Sequence, residues 1–206
     1  MGVVKRIRLD PAERRDQLLD LGVKMLSLRG LEQISVEEIA KMAGISRGLL
    51  FHYFPSKREF HIEIVRHSSN DLLARIAPNP ELEPVEMLRD VMGRYIDYVT
   101  EHRDGYVSLL RGRASGDPDM RLIADENRSI LVDRIFEYLP FGGAEITPRV
   151  RLAVRGWVAF VEEVTLTWLQ DPKLNREELI DLHVQSLPAL ALGPELAAAL
   201  LAQAQS

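Results

Sequence analysis

The chain has 206 residues, a formal net charge of −5 and no cysteine. Its length suits one mid-sized domain or a small head fused to a larger core, and the missing thiols exclude disulfides, thiolate metal sites and cysteine catalysis. No apolar run approaches the ~20 residues that span a bilayer. The opening MGVVKRIRLDP lacks the apolar stretch of a signal peptide, so a cytoplasmic location and no membrane partner are expected.

Asp10-Pro11 with Glu13 reads as a cap followed by proline in a first helical turn. The helix it starts carries Leu18, Leu19, Val23, Leu26 and Leu28 and is expected to stop at Gly30. Ser35 with Glu38 is a capping-box pattern for a short helix to about Met42. Gly44 supplies the backbone freedom for a steep turn, and Ser46 caps a second short helix through His52 or Tyr53. Ile39, Ala40, Ala43, Ile45 and Leu50 fall where two crossed helices touch. Arg47, Leu49, His52 and Tyr53 are left outward, a mix of cation, apolar group and hydrogen-bonders suited to a DNA groove. This is a helix-turn-helix pattern.

Ser56 with Glu59 gives a further capping pattern, opening a long helix with Phe60, Ile64, Leu72 and Ile76 that ends at Pro78-Asn79-Pro80. More helices are expected at about 84–102, 105–114, 119–138, 148–170, 176–186 and 195–203, punctuated by Pro84, Gly105, Asp117-Pro118, Pro140-Phe141-Gly142-Gly143, Thr147-Pro148 and Asn175. Strand alternation with hairpin turns is absent, so the fold class is all-α. Residues 1–60 hold 11 basic against 8 acidic groups, net +3, and the remainder is net −8. A head that approaches phosphates and a body repelled by them fits this split.

The helix over 148–170 is apolar nearly all round, and the next places Leu179, Ile180, Leu182, His183, Val184 and Leu187 on a broad face. Such helices require more than one burial surface. A two-fold four-helix interface satisfies this, with Trp157, Val161, Val164, Trp168, Leu179, Leu182 and His183 as its candidates. The alternative is that both helices cap a monomer core.

The stretch Ser35, Ile39-Ala40, Ala43-Gly44-Ile45-Ser46, Arg47, Gly48, Phe51, Tyr53-Phe54 and Lys57 resembles the tetracycline-repressor (TetR) family of bacterial regulators over the first third of the chain. The resemblance implies a helix-turn-helix head at 1–57 and a ligand-binding, dimerising body at 58–206, with dimerisation through the last long helices. It also implies a phosphate contact by Lys57. Phe51 departs from the tyrosine usual at its position, whose hydroxyl touches phosphate.

Residue by residue, Arg47 can reach a guanine edge or bind phosphate. Ser35 and Ser46 cap helices whose N-termini favour phosphate. Tyr53 offers a hydroxyl to phosphate or packs under the head, His52 is a groove candidate, and Leu49 can meet a thymine methyl. Gly48 is read as structural. Lys5, Arg6 and Arg8 form a basic arm, either laid in the minor groove or disordered.

For sensing, Tyr95, Tyr98, His102 and Tyr106 lie close in sequence with Arg94 and Arg111 nearby. They either line a largely apolar cavity, with Trp157 and Glu162 or Glu163 at its border, or belong to the core. The histidines show no metal spacing, no cofactor is implied, and no HExxH, GxSxG, P-loop or GxGxxG motif suggests an enzyme. The expected function is a ligand-responsive regulator, a repressor released from a palindromic operator by a small molecule. The alternatives are a helical dimeric interaction or architectural protein without a specific operator, or an enzyme with no recognisable motif.

Overall fold

The computed structural model describes residues 10–138 and 146–192. Among the described residues every regular element is helical. In order they are α1 (Pro11–Leu26), a 3₁₀ turn (Leu31–Gln33), α2 (Val36–Met42), α3 (Arg47–Tyr53), α4 (Lys57–Arg75), α5 (Pro84–Glu101) and α6 (Arg103–Arg111). A 3₁₀ turn (Arg113–Gly116), α7 (Pro118–Tyr138), α8 (Pro148–Gln170) and α9 (Arg176–Ala191) follow. The basic arm at Lys5, Arg6 and Arg8, the loop Pro140–Gly143 and the helix expected over 195–203 lie outside the described residues.

The chain divides into two compact units: residues up to Ser69 with Asp104–Met120, and Asn70–Arg103 with the chain from Arg121 onward. The first unit is cored by Leu18, Leu19, Ile39, Leu50, Phe54, Phe60 and Ile64, all almost fully buried. Its α1 starts on a complete capping box between Asp10 and Glu13, with Glu13 N–H donating to Asp10 Oδ1 at 2.8 Å. The segment after α5 belongs to this core. Ser108 Oγ accepts from Leu31 N–H at 3.1 Å, and Gly105 lies so close to α1 that a Cβ would stand 2.6 Å from the Leu26 carbonyl oxygen. Arg58 reaches both Oδ1 of Asp117 at 3.0 Å and Oδ2 of Asp119, which raises the Arg58 pKa, through Asp119 first.

In the second unit α9 packs between α5 and α8. Its N-terminus carries a capping box, Asn175 with Glu178. Carbonyls at the end of α4 and just beyond it accept from arginines on other helices: Leu73 O from Arg134 Nη1 at 2.6 Å, and Arg75 O and Ala77 O from Arg94. Arg128 on α7 pairs with Glu162 on α8 at 2.7 Å. Trp168 Nε1 donates to Leu174 O at 2.7 Å and closes the α8–α9 turn.

Several boundaries differ from expectation. The first helix ends at Leu26 instead of Gly30, and Leu28 is 69% exposed, because Ser27 turns the chain before Leu28 reaches the core. The helix expected over 105–114 is α6 plus a 3₁₀ turn. The last described helix runs through Pro188 to Ala191. That proline sits in the final turn, where its missing N–H costs one bond and the burial of Leu187, Ala191 and Leu192 holds the backbone.

Candidate nucleic-acid interface

Ser35 caps α2 by accepting from Glu38 N–H at 3.4 Å. The reciprocal half of the expected capping box is absent, because Glu38 Oε1 accepts from Arg29 Nη2 at 2.7 Å. Ser35 Oγ instead donates to Glu37 Oε2 at 3.0 Å. At the other end of α2, Gly44 adopts φ +66°. Ile45 N–H donates to Ala40 O at 3.0 Å and Gly44 N–H to Lys41 O at 3.2 Å. These two bonds and the left-handed glycine make a Schellman stop, which sets the direction in which the chain enters α3.

Ser46 then caps α3, accepting from Leu49 N–H at 3.1 Å. Seven residues make this helix, and only Leu50 is fully buried. Leu50 N–H···O bonding to Ser46 and the packing of Leu50, Phe54 and Phe60, with the Phe54 and Phe60 rings 4.8 Å apart, seat the helix on the core. Arg15 lies over the Phe54 ring at 5.2 Å. Ala40 is buried, while Ala43 and Ile45 are half-buried.

The outward face is as expected in composition. Arg47, Leu49, His52, Ser46 and Lys57 are exposed; Tyr53 and Ser35 are half-buried. Arg47 Nη1 pairs with Glu37 Oε1 at 2.9 Å, and its guanidinium lies 5.3 Å from the Phe51 ring centre. Glu37 is held below the usual carboxylate range, first by a backbone hydrogen bond and then by the Ser35 hydroxyl, with Arg47 and Lys57 adding to it. His52 and Tyr53 pack edge to face, 5.7 Å apart. Gly48 differs from expectation: a Cβ there would meet only Ser46 Oγ, at 3.9 Å, so the fold itself does not require glycine.

Behind this face, His61 is half-buried and its Nε2 lies 3.3 Å from Ile34 O, which can only accept, so the ring N–H donates. Burial lowers its pKa. Sequence reasoning gave His61 no role beyond rejecting a metal, because its partner is a backbone carbonyl 27 residues away.

The residues expected to sense a ligand are distributed across both units. Tyr95, Tyr98, His102 and Trp157 belong to the second unit and Tyr106 to the first. Tyr95, Tyr98 and Trp157 are buried; the His102 ring lies tilted against Tyr98, their centres 4.3 Å apart. Trp157 Nε1 is already used, donating to His183 O at 3.0 Å and Ser186 Oγ at 2.9 Å. Arg94 caps α4 and Glu162 holds Arg128. Of the interface candidates, Trp157, Val161, Leu179 and His183 are buried within the single chain. Leu182 is 39% exposed, and Val164 and Trp168 are half-buried.

Comparison with known proteins agrees with this geometry. The family described as "Tetracyclin repressor-like, C-terminal domain" matches residues 84–190, and "Bacterial regulatory proteins, tetR family" matches residues 18–64. A tetR-family transcriptional regulator from Streptomyces coelicolor superposes with a TM-score of 0.81 at 32% identity, covering 95% of this chain and 89% of that one. The nucleoid occlusion factor SlmA of Haemophilus influenzae is 31% identical over 105 residues, 50% of this chain and 48% of that protein. The HTH-type transcriptional repressor KstR2 of Mycolicibacterium smegmatis is 34% identical over 106 residues, 50% of this chain and 51% of that protein. The matched part thus spans about half the length of these two curated relatives. The chain belongs to the tetR family of bacterial regulatory proteins, and its first unit carries a helix-turn-helix.

Proposed function

We propose that the chain binds a palindromic operator as a homodimer and that a small molecule bound in the body releases it, so that it acts as a repressor in the cytoplasm without catalysing a reaction. One observation carries the DNA reading: a capped, short helix, held through Leu50, presents Arg47, Leu49 and His52 to solvent with Lys57 just beyond it. In this reading Arg47 exchanges its exposed ion pair with Glu37 for a base edge or phosphate, an exchange that costs little because surface pairs are weak. Ser35, Ser46, Tyr53 and Lys57 contact phosphates, and Gly48 allows the DNA backbone close approach. The residues 1–57 act as the head and 58–206 as the body. The likeness to the repressor KstR2 supports the repressing sign.

The dimer is proposed through α8 and α9. Leu152 at 72%, Leu182 at 39% and Leu190 at 45% exposure are apolar groups left uncovered on those helices. Two recognition helices then meet successive major grooves about 34 Å apart. Selection of duplexes from a random pool with the full-length chain tests the reading. An inverted repeat with a fixed half-site spacing is the expected outcome; enrichment of no common sequence contradicts it. The effector is proposed to contact Tyr95, Tyr98, His102 and Trp157 of the second unit, so Tyr98→Ala should change the response while sparing operator affinity.

A further inference from the structure

Among the described residues, the buried side-chain polar atoms lacking a hydrogen-bond partner are His102 Nδ1, Thr165 Oγ1 and both ring nitrogens of His183. All three residues lie in the second unit, none in the unit that carries the helix-turn-helix. His183 and Thr165 are 0% exposed. Buried polar groups are almost always paired, so an orphan of this kind asks for a partner that the described residues do not supply.

His183 is the strongest of the three. A neutral imidazole carries one donor and one acceptor, and here neither is used. Its backbone is fixed, since its carbonyl accepts from Trp157 Nε1 at 3.0 Å and from Ser186 Oγ at 2.9 Å. The Phe160 ring meets the imidazole edge-on, 6.3 Å away. Leu179, Ile180, Val184 and Leu187 of the same helix are buried with it. Full burial within the single chain keeps the ring from a second subunit unless the helices repack, which sets it apart from the exposed Leu182 one residue earlier.

We propose that the His183 imidazole is the polar contact for the effector, an uncharged and mostly apolar molecule bearing a hydroxyl or carbonyl group. The proposal rests on the reading of the second unit as a sensor. The residues buried with the ring and the Phe160 ring beside it are apolar, which suits the body of such a molecule. A carboxylate would require a cation, and the guanidiniums of Arg94, Arg103, Arg128 and Arg176 are committed to Asp90, Leu169 O, Glu162 and Asp97. Burial also keeps the ring neutral, with its pKa lowered to about 4. A neutral imidazole pairs with a hydroxyl or carbonyl without desolvating a charge.

Nitrogen NMR of the histidine rings in the full-length protein, titrated with benzyl alcohol and with toluene, tests this. Benzyl alcohol is expected to move the His183 nitrogens and to bind about tenfold more tightly than toluene, the contribution of one buried hydrogen bond. In His183→Leu that preference should vanish while toluene binding persists. His183→Gln, which keeps a donor and an acceptor, assigns the resonances and guards against a leucine variant that fails to fold. If benzyl alcohol shifts other second-unit resonances and leaves the His183 nitrogens unmoved, the ring is structural and the proposal falls while the sensor reading stands. If neither fragment perturbs the second unit, the proposal also falls. Operator binding measured in the same samples reports separately on the regulator reading.

Discussion

Gly44 and His183 show how much single residues carry. At φ +66° any L side chain is strained, and a Cβ at Gly44 would touch nothing within 4 Å, so the penalty for Gly44→Ala is purely conformational. The loss should be about 1 kcal/mol in urea unfolding. For His183 the folded pKa is about 4 against an ordinary 6.5, so the unfolded chain binds the extra proton first. Stability from this group is complete above about pH 6.5 and falls as pH drops toward 4, by roughly 2–3 kcal/mol between pH 7 and 4.5. Wild type should lose that much more than His183→Leu over the interval. Equal losses would show that the ring titrates normally in the fold. The role of Gly44 is legible in the sequence because few residues tolerate a left-handed turn. The isolation of His183 is not, because periodicity gives a helical face without saying whether a core or a partner covers it.

At the level of elements, caps and punctuation read well and close approaches do not. Asp10, Ser46, Ser56 and Asn175 all accept from backbone N–H groups at helix starts, as their types and spacing lead one to expect. Gly105, in contrast, reads as a helix boundary in the sequence but lies within α6, where it makes room for α1. A Cβ there would stand 2.6 Å from Leu26 O and 2.9 Å from Leu26 Cγ, and backbone cannot step aside cheaply. Gly105→Ala should therefore cost about 1–3 kcal/mol. At Gly22 the obstacle is the end of the Ile64 side chain at 2.5 Å, which can rotate, so Gly22→Ala should cost less. Thermal or urea unfolding of the pair checks the order; the reverse order would mean that α1 and α6 are not so closely packed.

For the whole molecule, the proposed assembly and DNA binding rest on what the chain leaves uncovered. Val161 is buried and Leu182 is 39% exposed. Val161→Asp should unfold the protein by burying a carboxylate, whereas Leu182→Asp should leave a folded chain that is monomeric where the proposed wild-type assembly is a dimer. Light scattering with circular dichroism separates the two; a folded dimer of Leu182→Asp would move the interface elsewhere. The fold class and the outward face of α3 were legible because helix caps, a left-handed glycine and a short apolar pattern are local. The effector's contacts depend on which helices meet, and no local pattern encodes that. The most direct test of the account is fluorescence anisotropy of Arg47→Ala and Lys57→Ala on the selected operator and on unrelated duplex over a range of salt. Arg47→Ala should lose about 1–3 kcal/mol on the operator and relax preference at one position per half-site, while Lys57→Ala should weaken both duplexes alike and lower the salt slope by about one. Wild-type affinity and salt dependence in both variants would contradict the assignment of this helix-turn-helix to DNA.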